Sequence, residues 1–235
     1  PDGSWTPLWF GNAYWPGEEN PIYGTARVLQ AYRDLGLGDD PAAQRGRAWL
    51  LAHQNFDGGW GGRPRSAGQS PEHPADFPRG RQENNCFTSP APEPRPNQSR
   101  QSHPRCDWQS SAEETALALE SLLSDPVAAH ILRQSGDSPG PGILWSADPS
   151  RPPPNLPNRD SEAGGSETGS LRCALQRALA WLIRVVQAGR HRRPEPIGLY
   201  FARLWYYEKM YPLVFTLSAL AQAIVCLQSP LGSKT

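Results

Sequence analysis

Net charge is the first thing this sequence lacks. Lys and Arg together number 23, Asp and Glu 23, over 235 residues. No long-range field gathers polyanions, so a dedicated DNA- or RNA-binding role is not expected. Lysine is nearly missing: Lys209 and Lys234 are the two present, and arginine supplies the rest. Such an excess of Arg, Pro and Gly often follows GC-rich coding, and no function is drawn from it. Long apolar runs are missing too. The longest, residues 213–227, is interrupted by Thr216, Ser218 and Gln222. A spanning helix needs about 20 apolar residues, so the chain is not expected to cross a bilayer by itself. Cysteine pairs are absent: Cys86, Cys106, Cys173 and Cys226 form no C-x-x-C. Four scattered cysteines fit reduced thiols better than a disulfide framework. Cys86, His103 and Cys106 match no zinc spacing, and no metal site is expected. No basic stretch followed by an apolar run opens the chain, so secretion is not expected. It starts at Pro1, inside what reads as a repeat, and is expected to be a piece of something longer.

What is present falls into two kinds of segment. Nine of the 26 prolines lie in residues 61–109 and seven in residues 137–160, with Ser, Asn, Gln, Gly and Arg around them. That composition buries too little apolar area to offset chain entropy, so both windows are expected to be inserts without order. Elsewhere apolar residues recur at helical spacing. Helices are expected over residues 25–35, 41–53, 112–123, 170–187 and 213–227. Asp40-Pro41 is a candidate N-cap followed by proline at the first helical position, and Gly36 a terminator. No segment alternates at the period of a strand. The expected fold class is all-α, built of antiparallel helix pairs.

A repeat is visible in the glycine–tryptophan turns. Pro1-Asp2-Gly3-Ser4-Trp5 reads as the tail of one unit, and residues 47–60 form a complete one. That unit runs from Arg47-Ala48-Trp49-Leu50 through Gln54 to Asp57-Gly58-Gly59-Trp60. Between the two lie Trp9-Phe10-Gly11-Asn12 and Tyr23-Gly24-Thr25. Near the C-terminus, residues 196–212 gather Tyr200, Phe201, Trp205, Tyr206, Tyr207 and Tyr211. The complete unit resembles the QW motif of the triterpene cyclases, the squalene–hopene and oxidosqualene cyclases. The aromatic stretch is similar to that near the end of bacterial squalene–hopene cyclases, and the order of the blocks is also theirs. Two departures stand out. A third unit starts at Arg177 with Trp181-Leu182 but reaches Gln187 without a glycine–tryptophan turn, and the two proline-rich windows replace short loops.

The resemblance implies an α/α toroid of QW-type repeats, here an incomplete C-terminal portion. It divides the chain into repeat helices at 1–60, an insert at 61–109, a helical repeat at 110–136, a second insert at 137–169 and C-terminal helices at 170–235. It implies an isomerase that cyclises squalene, or a related linear polyprene, to a polycyclic hopanoid-type product without metal or organic cofactor. Trp9, Tyr23, Tyr200, Phe201, Trp205 and Tyr207 become the expected substrate-cavity aromatics, and Trp5, Gln54, Gly58, Gly59 and Trp60 the structural QW residues. Leu204 stands where hopene cyclases carry an aromatic. No D-x-D-D occurs in the chain, so the proton-donating aspartic acid is expected upstream and no catalytic residue is assigned. The partners implied are squalene and a membrane surface, with a homodimer open. The place implied is the cytoplasmic side of a membrane, as a peripheral, monotopic protein.

Read on their own terms, several of these residues have plainer explanations. Ser110-x-x-Glu113 and Ser111-x-x-Glu114 both read as capping boxes, which accounts for the paired acids without chemistry. Asp40 reads as a cap, and His53 as a helix-end residue that suits the dipole. An aromatic stripe is ordinarily core. Two other classes stay open: a protein prenyltransferase β-subunit-like protein, which needs zinc ligands not found here, and a non-catalytic toroid-type binding module or truncated remnant.

Overall fold

Asn20 and Pro21 set where the first helix begins. The Asn20 side chain accepts from the Tyr23 N–H, and Pro21 occupies a position whose missing N–H has no partner in any helix. In this computed structural model, which describes residues 2–64, 108–133, 167–199 and 204–228, helix α1 therefore spans Pro21–Asp34. It begins four residues before the expected start. Helix α2 (Pro41–Ala52) starts as expected, with Asp40 accepting from the Ala42 N–H at 2.7 Å. Helix α3 (Ala112–Leu123) is capped by Ser111, whose Oγ accepts from the Glu114 N–H. Helix α4 (Pro126–Arg133) was not expected; Asp125 opens it by accepting from the Val127 N–H. Helices α5 (Glu167–Gln187) and α6 (Met210–Gln228) are each slightly longer than their apolar pattern. Pro212 does not interrupt α6, because it lies in the first turn.

The described residues are mostly helical, but they also include strands, which corrects the all-helical expectation. Strands β1 (Phe10–Asn12), β4 (Pro196–Leu199) and β5 (Leu204–Tyr207) form an antiparallel sheet in the order β1-β4-β5. Strands β2 (Arg63–Pro64) and β3 (Trp108–Gln109) form a second pair. The strands have two to four residues, too few for a period of two to register. The β2–β3 pair also trims the first expected insert: residues 61–64 and 108–109 are ordered at its edges. The rest of that insert, Cys86, Cys106 and His103 with it, lies outside the described residues. So do Tyr200 and Phe201.

Helix α3 is the centre. Leu117, Leu119 and Leu122 are fully buried, with α1 and α6 on its flanks and α5 behind. Helix α2 packs on α1, and α4 lies against α5 and α6. A helix buried on nearly every side must be largely apolar, and α3 is, apart from its first turn and the hydrogen-bonded Glu120 and Ser121. Helix α6 is different. It lays Thr216, Ala219, Ala223 and Cys226 inward, and Ser218 donates to the Glu120 carboxylate of α3 at 2.9 Å. Its large residues Leu213, Val214, Leu217, Ile224, Val225 and Leu227 stay in contact with solvent. Among the described residues it is the one helix long and apolar enough to cross a membrane.

Candidate functional site

Two turns anchor the region, and they make the same bonds. In the first, Ser4 N–H donates to Asp2 and Trp5 N–H to Thr25 Oγ1 of α1, at 3.0 Å each. In the second, Gly59 N–H donates to Asp57 at 3.1 Å and Trp60 N–H to Thr115 Oγ1 of α3 at 2.9 Å. Gly3 and Gly58 hold φ of +96° and +99°, and a Cβ at either would press on a carbonyl oxygen, that of Arg45 or Arg177. Glycine is needed at both positions for conformation and for space. The pair α1–α2 is thus matched by α3–α5. Gln54 donates from Nε2 to the Gly58 and Ala174 carbonyls, both at 2.9 Å, so it ties the turn to α5 rather than to the start of α3. Trp60 is fully buried, and its indole N–H reaches the Leu50 carbonyl near the end of α2. Thr25 and Thr115 are the site residues that sequence reasoning missed.

Behind the second turn lie two buried acids. Glu114 accepts from Gly62 N–H, from Asn12 Nδ2 at 3.0 Å and from Ser111 Oγ at 2.7 Å. Burial raises its pKa, and these donors work against the rise. Only half of the expected double capping box is found. Ser111 and Glu114 act as a cap, whereas Ser110 donates both its Oγ–H, at 2.6 Å, and its N–H to Asp57, so it forms no box with Glu113. Glu113 is 5% exposed, and its Oε1 accepts from the Glu195 N–H at 2.9 Å, just ahead of β4. Its Oε2 has no hydrogen-bond partner among the described residues. Burial, and then the Glu195 carboxylate, push the Glu113 pKa up to about 8. The acid is neutral at pH 7. Arg63 of β2 approaches Glu195 at 3.9 Å.

The sheet sorts the aromatics onto two faces. Register pairs Phe10 with Leu199 and Leu199 with Leu204, and Ile197 with both Asn12 and Tyr206. Residues directly opposite one another share a face, so Phe10, Asn12, Leu204 and Tyr206 point one way. Gly11, Gly198, Pro196, Trp205 and Tyr207 point the other. Gly198 is needed here because a Cβ would meet the Leu204 carbonyl at 2.0 Å. On the first face the Phe10 ring lies 5.2 Å from Tyr23 of α1. Tyr211 and Phe215 of α6 stack at 5.2 Å, and the Arg27 guanidinium sits 5.5 Å from the Tyr23 ring centre and 5.0 Å from that of Phe215. The structure therefore brings Tyr23 together with four aromatics not singled out for a cavity. It puts Trp205 and Tyr207 on the opposite face and leaves Trp9 57% exposed. Among the described residues no three His, Cys, Asp or Glu side chains converge as a metal-ligand set.

Comparison with known proteins places these features. The family model for the squalene-hopene cyclase C-terminal domain matches residues 1–75. The chain is 36% identical over 77 residues to the terpentedienyl-diphosphate synthase of Kitasatospora griseola, covering 32% of this chain and 13% of that protein. It is 42% identical over 62 residues to the squalene–hopene cyclase of Bradyrhizobium diazoefficiens, covering 26% of this chain and 8% of that protein. The chain thus spans a small part of each relative's length, and the residues matched by the family model take in both glycine–tryptophan turns, α1 and α2.

Proposed function

We propose that this chain, whose residues 1–75 match the family model for the squalene-hopene cyclase C-terminal domain, is the C-terminal part of a triterpene cyclase. On this reading the helices complete an α/α toroid with sequence not included here, and the two glycine–tryptophan turns serve as its QW elements. The reaction is cyclisation of squalene, or a related linear polyprene, to a polycyclic hopanoid-type product. An acid outside this chain protonates a terminal alkene, and the positive charge then moves along the hydrocarbon. Nothing in such a substrate accepts a hydrogen bond. Aromatic faces carry negative potential and stabilise a passing cation by about 2 kcal/mol when desolvated, without the lone pair that would trap it.

The observation that carries this reading is the aromatic group of Phe10, Tyr23, Tyr206, Tyr211 and Phe215. The rings of Phe10, Tyr23, Tyr211 and Phe215 come from a strand and two helices, and the half-exposed Tyr206 of a second strand bonds to Tyr211 at their edge. The Arg27 guanidinium covers one face each of Tyr23 and Phe215, so a substrate cation would use the ring faces that Arg27 leaves open. Tyr23 and Tyr207 stand on opposite sides of the sheet, so one cavity wall does not take both. We assign the substrate wall to the Tyr23 side, with Trp205 and Tyr207 supporting the sheet from behind. The uncovered apolar side of α6 suits a peripheral, monotopic contact with the cytoplasmic face of a membrane, from which a water-insoluble substrate is drawn.

The test uses the complete cyclase that contains this chain, with squalene as substrate and gas chromatography as readout. Tyr23→Ala is expected to release partly cyclised hydrocarbons, because about 1.4 kcal/mol lost at one cation stage changes a branching ratio about tenfold. Tyr23→Phe keeps the ring and the normal mixture. A Tyr23→Ala enzyme that gives less product of unchanged composition would make Tyr23 a packing residue and remove the argument for this wall.

A further inference from the structure

We propose that Glu113 is a proton-dependent positioning residue that fixes the β1-β4-β5 sheet, and the aromatics it carries, onto helix α3. The proposal rests on the functional reading only for what those aromatics do. Glu113 lies in the first turn of α3 and is 5% exposed. One of its oxygens takes the N–H of Glu195, the residue immediately before β4. That hydrogen bond ties the start of the central strand to the central helix. The other oxygen has no hydrogen-bond partner among the described residues. Two carboxylates bear on it: Glu195 across the contact and Glu114 beside it on α3, while Arg63 of β2 pairs with Glu195.

This environment suits a neutral acid and penalises an ionised one. A carboxylate at Glu113 would accept the Glu195 N–H more strongly. It would also be buried without a counter-ion of its own and face two acids of like charge. The second effect wins, since the acid holds its proton to about pH 8 against an ordinary value of 4.5. Linkage then fixes the consequence. If the sheet lifts and Glu113 meets water, the open form ionises from about pH 4.5 whereas the docked form does not until about 8. The lifted form therefore gains up to about tenfold per pH unit between those values and nothing further above them.

Amide hydrogen exchange on the 235-residue chain tests this without any turnover, so its outcome is independent of the cyclase reading. Protection of the Glu195, Ile197 and Leu199 amides, corrected for intrinsic exchange rates, is expected to fall from pH 5 to pH 8 and then level. Glu113→Gln keeps the accepting oxygen and removes its own titration, so the same amides should show a shallower slope, what remains coming from Glu114, which holds Asn12 of β1. Glu195→Gln keeps the N–H and removes the facing charge, so levelling should begin at a lower pH. Wild-type protection that does not change from pH 5 to pH 8 overturns the proposal. So does an equal slope in Glu113→Gln.

Discussion

At the scale of single residues, the bonds from Trp5 and Trp60 to Thr25 and Thr115 matter more than the tryptophan rings alone suggest. Each threonine hydroxyl accepts an N–H that would otherwise sit in or near the core without a partner. Thr115 is fully buried and its bond is wholly inside, whereas the Trp5 end is partly open. Thr115→Val keeps the shape and leaves the Trp60 N–H unsatisfied, which should cost about 1–3 kcal/mol in urea denaturation. Thr25→Val should cost less, because water reaches the Trp5 turn. Equal losses would contradict the difference in burial. The Asp-Gly-x-Trp turns were legible in the sequence because their residues are adjacent and their glycines have a conformational task. Thr25 and Thr115 were not, since they lie 20 and 55 residues from the amides they serve.

At the scale of elements, α6 has two sides with opposite tolerance. Its inward side is built of small residues, so that the helix sits close to α3; Ala219 is fully buried. Its outward side is large and apolar, with Leu217 71% exposed. Ala219→Leu should therefore lower stability by about 1–3 kcal/mol through overpacking, while Leu217→Ser should stay within about 0.5 kcal/mol. Thermal melts of the two variants decide it, and comparable losses would mean that the outward side is covered. Helices with a side-chain cap were readable because cap and helix are neighbours: Asp40-Pro41 and Ser111 mark α2 and α3 as the sequence indicates. Asn20-Pro21 carried the same signal for α1, but the apolar spacing alone suggested a later start. The strands were hidden for another reason. β1 pairs with β4 across more than 180 residues, and strands this short leave no period to detect.

At the scale of the molecule, the same separation explains why the aromatic stretch was legible as a stretch and not as a surface. Tyr206 and Tyr207 are neighbours in sequence and stand on opposite faces of a sheet whose register no local pattern specifies. Glu113, unlike the true cap partner Glu114, looked like a cap for the same reason, because Glu195 lies 82 residues from it. The burial of these two acids gives the fold an unusual dependence on pH. Paired surface carboxylates ordinarily have depressed pKa values, and proteins lose that stabilisation on acidification. Glu113 is the reverse case. Its folded value of about 8 lies above the ordinary 4.5, so its contribution is fully present below about pH 4.5 and is lost as pH rises towards 8. Glu114 is raised as well and acts in the same direction. Across that window the change from Glu113 is at most about 1.4 kcal/mol per pH unit, and above pH 8 it stops. The melting temperature of the 235-residue chain should therefore decline between pH 5 and pH 8. Glu113→Gln should reduce the decline, and what remains has the direction that the buried Glu114 imposes. A wild-type protein that melts at a higher temperature at pH 8 than at pH 5 would show that the carboxylates in ion pairs outweigh the two buried acids.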